Sequence, residues 1–234
     1  MRSFTFETQK KSFSEPVGKT EQKAEKPYLL IRTRYPVFSP CEDGEKEKPS
    51  EKRFCEKINR FYAESAERFA SDVPPKDRKK AIFLAEKSQK PCSFVWHTEV
   101  PFNGKELLSV FTDISGFDGE NTVKRRFCAL WSVSDGSLLM PKKVFFTGAK
   151  QRKNVVKMLC DIAESNARRG IFTYYDNFAA IINKHFSFDS FYFVPNGAAF
   201  YFDGGLLSPR TEEVTVFVAP FEKLEGILKI VPEQ

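Results

Sequence analysis

Phe94-Val95-Trp96-His97-Thr98-Glu99-Val100, followed by Pro101-Phe102-Asn103-Gly104-Lys105, is the stretch that decides the fold class. Phe94, Trp96, Thr98 and Val100 alternate with Val95, His97 and Glu99, which is the period of a strand. Asn103-Gly104 is the dipeptide of a type I′ hairpin, so residues 105–114 are predicted to return as an antiparallel partner. Residues 115–121 contain Gly116, Asp118, Gly119 and Glu120 and read as a loop. Another strand is predicted over 122–134, turned by Asp135-Gly136.

Toward the N-terminus, Ser50 is placed as the N-cap of a helix reaching about Ala70. Phe54, Ile58, Phe61, Tyr62 and Phe69 share one face of it at helical spacing. Pro74-Pro75 breaks the chain, and a shorter helix is predicted over 77–87. Residues 28–35 read as a strand limited by Pro36. Residues 1–27 read as a flexible tail, polar over 14–27, in which Phe4 and Phe6 allow a short strand. Toward the C-terminus, a helix over 151–169 buries Val155, Leu159 and Ile162 and stops at Gly170. A short helix over 176–184, strands over 191–194, 198–202 and 214–219, and a last helix over 220–228 complete the chain. Hairpins dominate and the helices cluster between runs of strands. The predicted class is α+β, two small subdomains with antiparallel sheets packed on helices, rather than a Rossmann alternation. The expected organisation is a tail over 1–27, a first α+β domain over 28–133 and a second over 134–234.

With 234 residues, 41% hydrophobic and 29% charged, the chain is globular. It has no apolar run of membrane-spanning length and no leader-like apolar segment near Met1, so membrane insertion is not expected and a cytoplasmic location is. Cys41, Cys55, Cys92, Cys128 and Cys160 form no C-x-x-C pair, which speaks against a zinc ribbon and for reduced thiols. Phe occurs 25 times against 7 Tyr and 2 Trp, which suits core filling and strands. The net charge of +6 is uneven: residues 121–170 hold 11 basic and 3 acidic groups, while residues 171–234 hold 4 and 8.

Motifs for catalysis are missing. There is no P-loop, G-x-G-x-x-G or G-x-S-x-G. A metal site or triad would depend on His97, in a strand, and His185, at a helix end, and neither has a nucleophile marked beside it. Asp113, Asp118 and Glu120, with Glu212 and Glu213, are loop carboxylates that leave a carboxylate hydrolase as a third reading. No catalytic residue, metal or cofactor is therefore expected. Lys124-Arg125-Arg126 is a basic cluster split between the two faces of a strand. Lys150, Arg152 and Lys153 open a helix, where a bound anion would relieve their conflict with the dipole. They are the candidate residues for anion or nucleic-acid binding.

Asp203-Gly204-Gly205-Leu206-Leu207-Ser208-Pro209-Arg210 is the most distinctive loop. Gly-Gly permits positive φ. Leu206 and Leu207 either fold back into the core, the preferred reading, or join a contact surface. Asp203, Leu206, Leu207 and Arg210 are the candidate ligand or partner contacts.

Three further segments carry a resemblance: Asp135 to Phe145, Phe191 to Phe202 across Pro195-Asn196-Gly197, and Val214 to Leu224. In that order they resemble the bacterial domain of unknown function at the C-terminus of the lysozyme-sensing anti-sigma factor RsiV, which also occurs beside a peptidoglycan deacetylase domain. Tyr35-Pro36-Val37-Phe38 and Ile58-Asn59 resemble features of the smaller α+β domain that precedes it. The resemblance spans about residues 28–228. It implies a two-part sensor or binding module without catalytic residues, its second part resembling a subdomain of the actin/Hsp70 ATPase fold. Here Ser115-Gly116-Phe117-Asp118-Gly119 stands where many members carry Gly-Gly-Ala-His. The expected partner is a protein or cell-wall glycan, with nucleic acid the second class.

Overall fold

The structure is a computed structural model that describes residues 4–16, 27–40, 49–72, 75–88, 91–117 and 122–233. Its first sheet has the order β1-β2-β3-β4-β5, built from Phe4–Pro16, Pro27–Pro40, Cys92–Asn103, Leu107–Phe117 and Thr122–Ser132. Helices α1 (Pro49–Ser71) and α2 (Pro75–Ser88) connect β2 to β3 and cover one face of it. Then come a single turn α3 (Pro141–Val144), α4 (Ala149–Arg168) and α5 (Phe178–His185). The second sheet, β6-β7-β8, comprises Phe191–Val194, Gly197–Phe202 and Thr215–Pro220. The molecule is α+β, two sheets packed against helices, as the sequence pattern predicts.

Side-chain parity explains the layers. On β6 and β7, Phe191, Phe193, Ala198, Phe200 and Phe202 face α4 and α5 and build the largest core with Val155, Leu159 and Ile182. The alternate residues Tyr192, Ala199 and Tyr201 face the first sheet and meet Phe111. β7 is therefore buried on both sides. An irregularity between Glu99 and Phe102 shifts β3 against β4, and Phe102 joins the core of the second sheet beside Phe193.

Several expectations need correction. Residues 4–16 are not tail: β1 pairs antiparallel with β2 along its length. Its solvent-facing polar residues hide the strand period. Of the rest of the predicted tail, Pro27 opens β2, while residues 1–3 and 17–26 lie outside the described residues, as do residues 41–48. β2 runs through Pro36 because β3 pairs only with Leu29–Arg34, so the proline has a ladder on one side alone. That β2–β3 pair is parallel, the one departure from antiparallel order in the first sheet, and the α1–α2 crossover permits it. α1 starts at Pro49, one residue before the expected cap, and β4 continues to Phe117 through the predicted loop. The β3–β4 turn is centred on Lys105-Glu106: Asn103 pairs with Leu108, and Gly104 N–H donates to Leu107 O at 3.0 Å. Gly104 is required there by packing, since a Cβ would lie 2.4 Å from Glu233 O. The predicted last helix is only a 3-10 turn, Phe221–Leu224, with Gly226 at φ +69° soon after it.

The two N-terminal segments of the resemblance meet physically. Past Arg34, β2 has lost β3, and Asn59 of α1 replaces it. Phe38 N–H donates to Asn59 Oδ1 at 2.7 Å, and Asn59 Nδ2 donates to Phe38 O at 2.9 Å. The side-chain amide thus stands in for a neighbouring strand.

Candidate functional site

The loop after β7 covers the free edge of β5. Lys124 N–H donates to Thr211 O at 2.9 Å, and Gly204 N–H donates to Lys124 O at 2.8 Å. Arg126 N–H donates to Asp203 Oδ1 at 3.0 Å, and Thr211 Oγ1 donates to Thr122 O at 2.5 Å. An uncovered edge of this length would invite pairing with another chain. Gly204 allows the approach, since a Cβ would lie 1.9 Å from Thr211 O, and Gly205 takes φ +78°. Leu207 is fully buried in the second core, with Leu206 half-buried against it. Of the four contact candidates, Asp203 serves β5 and the leucines fold inward. Arg210 is exposed, paired with Glu213 at 3.2 Å and lying 5.7 Å from the Phe172 ring centre.

Where the sheets meet, Arg126 and Asp113 are only 10% and 12% exposed. Arg126 Nε and Nη2 donate to the two Asp113 oxygens at 2.7 and 2.8 Å, and Nη1 donates to Tyr192 Oη at 3.0 Å. The guanidinium lies 3.7 Å from the Phe111 ring centre. Desolvation pulls the Arg126 pKa down, but the hydrogen bond and charge of Asp113 outweigh it and leave the pKa raised. Beside it, burial pushes the Cys128 thiol up to about 12. This network holds the sheets together, and Asp113 is wholly engaged by it. One signal is legible in the sequence, that Arg126 and Arg125 point to opposite faces; the pairing with Asp113 needs the β4–β5 register.

The remaining candidates are dispersed. Lys150 and Lys153 are exposed, whereas Arg152 turns toward α5. There its Nη1 donates to Asn183 Oδ1 at 3.1 Å and its Nη2 donates to Asn183 O. The three cations do not converge. His97 lies 3.5 Å from Glu99, and His185 is the exposed last residue of α5. Glu212 is exposed, and Asp118 and Glu120 lie outside the described residues. Among the described residues no three His, Cys, Asp or Glu side chains cluster as metal ligands, and no helix is long and apolar enough to cross a membrane.

One cleft has no counterpart in the sequence reading. A groove of about 710 Å³ follows α4 from Asn154 to Arg169 against residues 223–227. At 1.5 Å per residue that flank is about 22 Å long. Its base includes Met158, Ile162 and Ile227, and its charges alternate in sign: Lys157, Arg169 and Lys223 against Asp161 and Glu225. The register of α4 alone could have shown one wall; the other comes from distant sequence. A cleft of about 400 Å³ lies between Met140–Lys142 and Phe186–Asp189, with Arg152 at its side.

No protein-family model and no curated protein matches the chain. Among solved structures it is similar to a DUF3298 family protein from Pseudomonas aeruginosa PAO1, with a TM-score of 0.63 and 11% identity over 99% of this chain and 98% of that one. A DUF3298 member from Bacteroides fragilis NCTC 9343 gives a TM-score of 0.58 and 13% identity over 98% and 96%. At 11–13% identity these likenesses define the class by fold alone, an α+β fold shared with DUF3298 structures. The likeness runs over nearly the whole length of this chain and of both structures.

Proposed function

We propose that the protein is a non-enzymatic binding module that holds an extended protein segment or cell-wall glycan in the groove along α4. The observation carrying this reading is the groove itself, about 22 Å long by helix rise, with an apolar base and charges of both signs. An extended peptide of about seven residues would span it. Mixed signs suit a chain bearing its own alternating polar groups better than a polyanion. The resemblance to the sensor region of a lysozyme-responsive anti-sigma factor supports a sensing role. Of the contact candidates in the Gly-Gly loop, Arg210 is the one left exposed to a partner.

The test is selection from a displayed peptide library and from soluble peptidoglycan fragments, with wild type and Lys157→Glu/Arg169→Glu in parallel. The reading expects ligands retained by wild type, released by the variant and recovered with unchanged mass. Equal retention by both proteins overturns the groove. A changed ligand mass overturns the non-enzymatic reading.

A further inference from the structure

The open face of the first sheet carries a second surface, independent of the groove. Lys11 turns toward α1 and bonds Glu67 at 3.0 Å, so Lys10 and Ser12 lie on the opposite face. Register then aligns two rows across the sheet. Lys10 is opposite Arg34, Arg34 opposite His97, His97 opposite Asp113 and Asp113 opposite Arg126. The second row is Ser12, Arg32, Val95, Ser115 and Lys124. The second sheet covers the Asp113–Arg126 end, while Lys10, Arg32 and Arg34 are exposed. Among the described residues no hydrogen bond or ion pair engages these three side chains. Glu99 is an acidic group on this face, 3.5 Å from His97.

Lys10 and Arg34 are directly opposed on strands about 5 Å apart, and like charges so placed destabilise a sheet. A bound anion would remove that repulsion. We propose that the face of β1, β2 and β3 docks the phosphate backbone of a nucleic-acid duplex through Lys10, Arg32 and Arg34. Guanidinium forks match phosphate oxygens. The partner is chosen by what the face lacks. Among the described residues of this stretch, Leu30 and Val95 are half-buried and the side chains from Thr8 to Ser12 are polar, while the exposed ring of β1, Phe6, leans on Phe38 of the α1 core with ring centres 5.7 Å apart. A protein partner needs an apolar centre, a single strand needs rings to stack on, and a bilayer needs an apolar anchor. A duplex backbone is read by charge and shape alone.

The experiment is fluorescence anisotropy with a labelled random-sequence DNA duplex of about 20 base pairs, with vesicles containing phosphatidylserine and poly-glutamate as competing probes. Three phosphate contacts give a log–log salt slope of about −2.7, an affinity loss of about 40-fold between 50 and 200 mM salt. Arg32→Ala and Arg34→Ala should each reduce the slope by about one, while Lys150→Glu/Lys153→Glu leaves it unchanged. Both arginines are exposed, and unchanged circular dichroism melts would show that the variants fold. No binding at 50 mM salt overturns the proposal. So does a slope indifferent to Arg32 and Arg34, one that follows Lys150 and Lys153, or stronger binding to vesicles or poly-glutamate than to the duplex.

Discussion

Replacing Arg126 by methionine tests what joins the two sheets. The guanidinium makes two bonds to Asp113 and one to Tyr192 and packs on Phe111. Methionine fills much of the space but leaves the Asp113 carboxylate buried without its cation. Breaking a buried pair from one side costs about 3–5 kcal/mol. For a chain of this size that is a fall in Tm of about 10 °C. Replacing both residues by apolar side chains, as in Asp113→Leu/Arg126→Met, removes the stranded charge and should recover most of the loss. Urea unfolding followed by tryptophan fluorescence reads the cycle, since Trp96 and Trp131 both lie in the first sheet. A loss below about 1 kcal/mol in the single variant would refute the argument, because it would equate this pair with an exposed one. A double variant no more stable than the single one would refute it too.

Other outcomes follow from single sites. Leu207→Ala should cost about 2–5 kcal/mol in chemical unfolding, because a fully buried side chain leaves a cavity; a neutral result would mean the loop does not fold inward. Asn59→Ala removes both bonds to Phe38 and should cost about 1–3 kcal/mol, with faster amide exchange at Phe38 as the local readout. Hydrogen bonds from Ser132 and then Ser137 lower the Asp135 pKa from 3.8 to about 2. A depressed carboxylate stabilises the fold above its unfolded pKa and loses that contribution as pH falls through the folded value. Asp135→Asn should therefore lose less stability than wild type between about pH 4 and 2, measured by urea midpoints at each pH.

The parts of the fold legible in the sequence are those whose own residues carry the period. Phe54, Ile58 and Tyr62 on α1 and Val155 and Leu159 on α4 are buried as their spacing implies, and on β3 Phe94, Trp96 and Val100 pack half-buried against the helix-side cores. What escaped reading depends on partners far along the chain. β1 is an edge strand with polar residues outward, so its period is weak. Pro36 reads as a strand end until the β2–β3 pairing is seen to end at Arg34 and His97. The Asn-Gly dipeptide misplaces the hairpin because Gly104 serves close packing against Glu233. At the candidate sites, the inward fold of Leu206 and Leu207 is the preferred reading of that apolar pair, whereas the covering of β5 by their loop is revealed by no local pattern. The groove joins α4 to residues 223–227, and the Lys10–Arg34 row joins strands through register alone.

The most direct test of the account is hydrogen–deuterium exchange of the wild-type protein with and without a peptide or glycan ligand selected by it. The groove reading predicts slowed exchange confined to Asn154–Arg169 and residues 223–227. Slowed exchange over β1–β3 or the 203–213 loop, with α4 unchanged, would contradict it.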